Sequence, residues 1–206
     1  MTLVLLDYAS VLIFALTGAL AASRAQLDLI GFGFIACLTA LGGGTLRDVF
    51  LDRPVFWIEN PTVLAICLAA ALVVFFAAPF MESRYTWLTW LDSFALAVAV
   101  PAGVGIAFSL SHSIPVVIIM GMVTGTMGGL MRDVVCNEVP MVLKQGELYV
   151  SAAFGGAASG ITAISLGASL PVALIICAVL TWVLRSGSIF FGWRLPVYKS
   201  RPPKNK

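Results

Sequence analysis

The chain has 206 residues, 60% of them hydrophobic and only 11% charged, with a mean hydropathy of +1.02 and a net charge of +2. A water-soluble domain of that length needs far more polar surface, and so small a net charge gives a nucleic-acid partner little to attract. The apolar residues run in long blocks, which excludes the weak alternating strands of a transmembrane barrel and predicts helices that cross a bilayer.

Seven blocks follow one another, at about 3–22, 29–46, 62–80, 88–110, 114–136, 149–166 and 169–184. A rise of 1.5 Å per residue carries roughly 20 residues across a core of ~30 Å. The seventh block is short, although apolar character returns over 189–193. With seven spans, Arg24, Arg84, Arg132, Lys144, Arg185, Arg194, Lys199, Arg201, Lys204 and Lys206 gather at one side and only Arg47 and Arg53 at the other. The positive-inside rule then puts the C-terminus in the cytoplasm and the N-terminus outside. The closing RPPKNK reads as a topology determinant, with a contact to anionic lipid as the sharper alternative.

The chain repeats itself at an offset of 85 residues. Asp7 falls on Asp92, Gly18 on Gly103 and Thr39 on Thr124, and GGGTLRD (42–48) falls on MGGLMRD (127–133). Beyond Asp133 the register is expected to slip by one residue, Pro54 answering Pro140. Three helices per copy force the second copy to insert upside down, the inverted repeat of many transporters and some channels. The predicted fold is therefore all-α and integral to the membrane. Its seven transmembrane helices form two inverted three-helix repeats, 1–84 and 85–168, with one extra helix over 169–192 and a basic cytoplasmic tail over 193–206.

Gly42, Gly43 and Gly44, and Gly125, Gly128 and Gly129, lie inside these blocks. Each glycine costs about 1 kcal/mol against alanine within a helix, so the clusters are expected to kink or break their helices. Close packing through the small faces Gly121–Gly125 and Gly125–Gly129 is the plainer reading. Arg47-Asp48 and Arg132-Asp133 follow three residues later. Charges within a membrane face the protein interior or water, and adjacent helical residues point about 100° apart, so the Arg of one half is free to meet an Asp of the other. These four are expected to line or gate a pore, with ordinary helix-end charges as the alternative. Asp7 and Asp92 open the first helix of each half, where the macrodipole stabilises a carboxylate; attraction of cations and a bond to an Arg of another helix are the alternatives. Thr39 and Thr124 would line a polar path or bond back to their own backbone. Cys37, Cys67, Cys136 and Cys177 read as small core residues. With no metal-ligand set and no nucleophile–base pair, no enzyme and no cofactor are expected.

Three plus three plus one helices, with GGGTLRD, DRPVFWIENP, GGLMRD and VPMVL in these places, resemble the prokaryotic branch of the trimeric intracellular cation (TRIC) channels over nearly the whole chain. The resemblance implies a homotrimer in the bacterial inner membrane, in contact with lipid. It also implies a pore for monovalent cations, mainly potassium, in each protomer between the inverted repeats, lined by glycine-kinked second and fifth helices. Some bacterial relatives are regarded as small amino-acid transporters, so a secondary transporter for glycine or a similar zwitterion is the alternative reading. There an Arg would hold the carboxylate and an Asp the ammonium.

Overall fold

The computed structural model describes residues 2–81 and 83–198. Seven long helices carry the fold: α1 (Thr2–Arg24), α2 (Leu29–Phe50), α3 (Thr62–Ala77), α4 (Arg84–Ser109), α5 (Ile114–Val135), α6 (Val150–Ser165) and α7 (Leu170–Phe191). Single turns at Phe56–Glu59, Ala78–Phe80 and Met141–Leu143 fill the loops. All but α6, counting α3 with the turn that extends it to Phe80, are long and apolar enough to cross a membrane. α6 has 16 residues, about 24 Å at helical rise. Helix α7 fills the expected span of 169–192, running beyond its apolar block. It continues past residue 184 to Phe191, where Gly192 closes it in the left-handed conformation (φ 69°).

The helix ends follow local chemistry. Asp28 caps α2 by accepting from the Gly31 amide at 2.7 Å, and Ser83 caps α4 through the Thr86 amide. Proline follows Ser113 and Ser169 in the first turns of α5 and α7, where no helical donor is lost. α1 and α4 end beside the left-handed residues Gln26 (φ 55°) and Ser111 (φ 59°), and α2 and α5 beside Asp52 (φ 52°) and Asn137 (φ 55°). Each pair is 85 residues apart.

α1, α2 and α3 pack on one another, as do α4, α5 and α6. The two groups meet through α1 against α4 and α2 against α5, and α7 packs on α4 and α6. The outer surface is apolar, with Phe34, Leu68, Val73, Phe76, Ile175 and Phe190 exposed, while Arg47, Asp48, Asp92, Arg132, Asp133 and Arg185 are buried. Such an inside-out distribution suits a lipid solvent.

Two expectations need correction. The glycines do not break their helices: helical structure runs unbroken through Gly42–Gly44 and through Gly125, Gly128 and Gly129. The glycines are spent on closeness: a Cβ on Gly43 would collide with the Thr124 carbonyl, and one on Gly128 with the Thr39 carbonyl. Tight helix contact in a membrane selects small residues for that reason. The register also holds further than expected. The Arg53 amide bonds the Asp48 carbonyl at 2.9 Å and the Glu138 amide bonds the Asp133 carbonyl at 2.8 Å, still 85 apart, so the slip lies beyond this turn.

Candidate functional site

Two buried ion clusters are built from the matched residues. In the first, Arg47 donates from Nη1 to Oδ1 of Asp7 at 2.8 Å and from Nε to Oδ1 of its neighbour Asp48 at 2.8 Å. Oδ2 of Asp48 accepts from the Phe56 amide at 3.0 Å. In the second, Arg132 donates from Nη1 to Oδ1 of Asp92 at 2.7 Å and from Nε to Oδ1 of Asp133 at 2.8 Å, and Oδ2 of Asp133 accepts from the Met141 amide at 2.9 Å. Every bond recurs at the 85-residue offset.

Each Arg pairs within its own half, with its own sequence neighbour and with the aspartate of the preceding long helix; the pairing across halves that repeat symmetry allowed is not what joins them. The reason is the helix end. Asp48 and Asp133 stand in the last turn, where each turns one oxygen to the returning loop amide and the other to the guanidinium. Asp7 and Asp92 do not open their helices either; they sit within α1 and α4 and serve as the second carboxylate. Two carboxylates against one guanidinium leave each cluster with a charge of about −1 in its ionised form, so the arginines do not make the interior anion-attracting. One nitrogen, Nη2, of each guanidinium is buried without a protein acceptor among the described residues.

The clusters differ in access. The Asp7 side chain is 18% exposed and lines a cleft of about 310 Å³ together with Tyr8, Arg53, Phe56, Glu59 and Asn60. The Asp92 side chain is 0% exposed, and Tyr149 seals it by donating its hydroxyl to Oδ2 at 2.6 Å.

Thr39 and Thr124 donate their hydroxyls back to the carbonyls of Ile35 (2.6 Å) and Met120 (2.7 Å). Their side chains abut Gly18 and Gly103 of the preceding helix. Of the remaining glycines, Gly42 lies against Met131, Gly44 against the Phe56 ring, Gly125 against Val100 and Gly129 beside the Tyr149 hydroxyl.

The sequence reading gives no site role to Tyr149, Glu147 or Arg185. Tyr149 was legible only as the start of a helix. Arg185, counted only among the cations of the cytoplasmic side, is 1% exposed and pairs with Glu147 at 3.0 Å. The first residues of the basic tail dock on the loop before α6, with the Leu195 amide on the Gly146 carbonyl at 2.9 Å. Residues 199–206, including Lys199, Arg201, Lys204 and Lys206, lie outside the described residues.

One family model, described as a glycine transporter, matches the chain twice, over residues 4–79 and again over 89–165. The two matches begin 85 residues apart and end 86 apart. Among solved structures, the TRIC trimeric intracellular cation channel orthologue of Rhodobacter sphaeroides is 37% identical with a TM-score of 0.89, covering 92% of this chain and 98% of that one. The chain belongs to the TRIC channel family. A second TRIC structure, solved to explain conductance through these cation channels, is 29% identical with a TM-score of 0.85, over 96% of this chain and 98% of that one. The UPF0126 membrane protein of Vibrio cholerae is 37% identical over 200 residues, 95% of this chain and 82% of the relative. The UPF0126 inner membrane protein YadS of Escherichia coli K12 is 33% identical over 196 residues, 94% of each. This TRIC-family chain is an integral membrane protein.

Proposed function

We propose that this protein is a channel for monovalent cations, potassium above all. It works as a homotrimer in the bacterial inner membrane, each protomer conducting between its two halves, 1–84 and 85–168, which insert with opposite orientations. The likeness to the Rhodobacter sphaeroides TRIC channel, 37% identical over 92% of the chain, carries the reading. Electrostatics supports it. A surplus carboxylate in each cluster favours a cation over an anion, and the Asp7 cleft, lined by polar as well as apolar groups, is a fitting mouth for a path along α2 and α5. Arg47, Asp48, Arg132 and Asp133 then act as gating charges. The close glycine contacts of α2 and α5 let the two helices shear without large side chains to clear.

Orientation follows from the cations that lie outside the buried clusters. Arg24, Arg84, Lys144 and Arg194 share one end of the bundle, as the bonds Arg24–Glu138, Arg84–Ser23, Lys144–Tyr85 and Leu195–Gly146 require, while Arg53 lies at the other beside Asp7. The positive-inside rule puts the former end, and so the C-terminus, in the cytoplasm.

The glycine description of the family model keeps a carrier for small amino acids as the second reading. Against it, both arginines already face two carboxylates each, so a substrate carboxylate would enter a cluster that is net negative when ionised. Purified protein in planar bilayers under potassium, sodium and chloride gradients is expected to show single-channel currents that reverse near the potassium potential. Silence at every voltage, with saturable glycine uptake into proteoliposomes, would overturn the channel in favour of the carrier.

A further inference from the structure

Helix α7 belongs to neither half, yet it supplies the third buried arginine. Its seat on α6 is close. Gly156 lies against Thr181 and Gly160 against Cys177 and Ala173, and Trp182 stacks on Phe94 of α4 with ring centroids 5.6 Å apart. One turn beyond Thr181, this seat delivers Arg185 to the start of α6. There its guanidinium carbon lies 4.9 Å above the Tyr149 ring, and Nη1 donates to Oε2 of Glu147 at 3.0 Å. The loop that carries Glu147 and Tyr149 is held from the same side twice more. The Leu148 amide donates to Oγ of Ser188 at 3.0 Å, and that hydroxyl donates to the Trp193 carbonyl. Residues Glu147 and Arg194 also pair as a short antiparallel bridge.

All of these contacts converge on one residue. Tyr149 is 1% exposed, and its hydroxyl bond to Asp92 is what closes the second cluster. α3, the first half's counterpart of α6, packs on α1 and α2, and in that half Asp7 stays open to its cleft.

We propose that Arg185 is a positioning residue: paired with Glu147 and lying over the Tyr149 ring, it holds the Tyr149 hydroxyl on Asp92 and keeps the second arginine–carboxylate cluster sealed while the first stays open to water. The extra helix is then what makes two matching halves functionally unlike. Release of Tyr149 requires the Glu147–Arg185 pair to part, so the pair sets how often the sealed side opens. The conductance and ion preference, set by the clusters themselves, are untouched by it.

The proposal rests on the channel reading for its electrical test and on hydrogen exchange for an independent one. In single-channel records of the full chain, R185Q is expected to raise open probability about tenfold, the effect of one charge-assisted hydrogen bond lost from one of two states. Single-channel conductance and reversal potential should stay constant, and R185K should restore part of the wild-type behaviour. Tyr149→Phe should produce a similar rise, and the R185Q/Y149F pair no more than either alone. Additive effects, or an R185Q channel with wild-type open probability, would overturn the assignment. Glu147→Gln, at the partly exposed rim of the pair (35% side-chain exposure), repeats the test should R185Q not fold. In hydrogen exchange, R185Q must speed the amides of 147–149 and leave α1 and α2 at wild-type rates. Unchanged exchange there overturns the proposal even in a protein that passes current, whereas faster exchange in a protein that passes none removes the channel reading and leaves the positioning role.

Discussion

Arg132→Ala is expected to cost the protein its stable fold, and to do so more severely than Arg47→Ala. Removing Arg132 leaves Asp92 and Asp133, 0% and 5% exposed, as uncompensated carboxylates in a dry interior. Breaking a buried pair in this way costs about 3–5 kcal/mol, a large part of a typical folding free energy. Arg47→Ala strands Asp48 equally, but Asp7 borders an open cleft, where water can hydrate the orphaned charge. Thermal midpoints in one detergent should therefore fall in the order wild type, Arg47→Ala, Arg132→Ala. Equal losses would mean that the cleft at Asp7 gives its carboxylate no relief. Neutralising the whole second cluster (R132M with D92N and D133N) should recover much of the loss, because the penalty lies in the unpaired charge rather than in the missing bond.

The second large effect concerns the crossing of α2 and α5. Alanine is the better helix former by about 1 kcal/mol, so on propensity alone Gly43→Ala and Gly128→Ala should stabilise. The structure reverses the sign. Each new methyl would strike a backbone carbonyl, Thr124 or Thr39, and carbonyls on a packed helix cannot rotate away. Overpacking of this kind costs about 1–3 kcal/mol. Gly33→Ala is the contrasting case: its Cβ meets only the tip of Leu68, at 3.2 Å, and it should be neutral or stabilising. The double variant G43A/G128A should lose less than the sum of the two, since a single separation of the helices relieves both clashes. Thermal midpoints of the four variants decide it, and a stabilising Gly43→Ala would show that the crossing is looser than its contacts imply.

Much of this was legible in the sequence because the protein carries its pattern twice. GG-x-x-RD at a fixed offset marked the helices and charges that meet in the two clusters, with the two aspartates that join them. The pairing was not legible. Neighbours in a helix do not ordinarily face each other, and only the helix ends at Phe50 and Val135, with their returning loop amides, let Asp48 and Asp133 turn toward the preceding arginine. The glycines suggested a broken helix because propensity sees only the chain's own backbone; the partner carbonyls that need the space come from residues 81 and 89 positions away. Arg185 misled for a third reason. Hydropathy ended the last block at Leu184, and the partner that makes burial affordable, Glu147, lies 38 residues upstream with no motif to link them.

The wiring of the clusters bears on how the chain is made. Arg47 finds both of its carboxylates on α1 and α2, which are made before the second half, so its charge is neutralised before that half exists. Arg132 likewise needs only α4 and α5. Neither arginine has to wait in lipid for a distant partner, where an unpaired charge costs about 2.5–3.5 kcal/mol even by insertion scales. The later helices deliver something different. Tyr149, and then Arg185 near the end of α7, arrive after both clusters are assembled, so the second half closes only once α7 has been made.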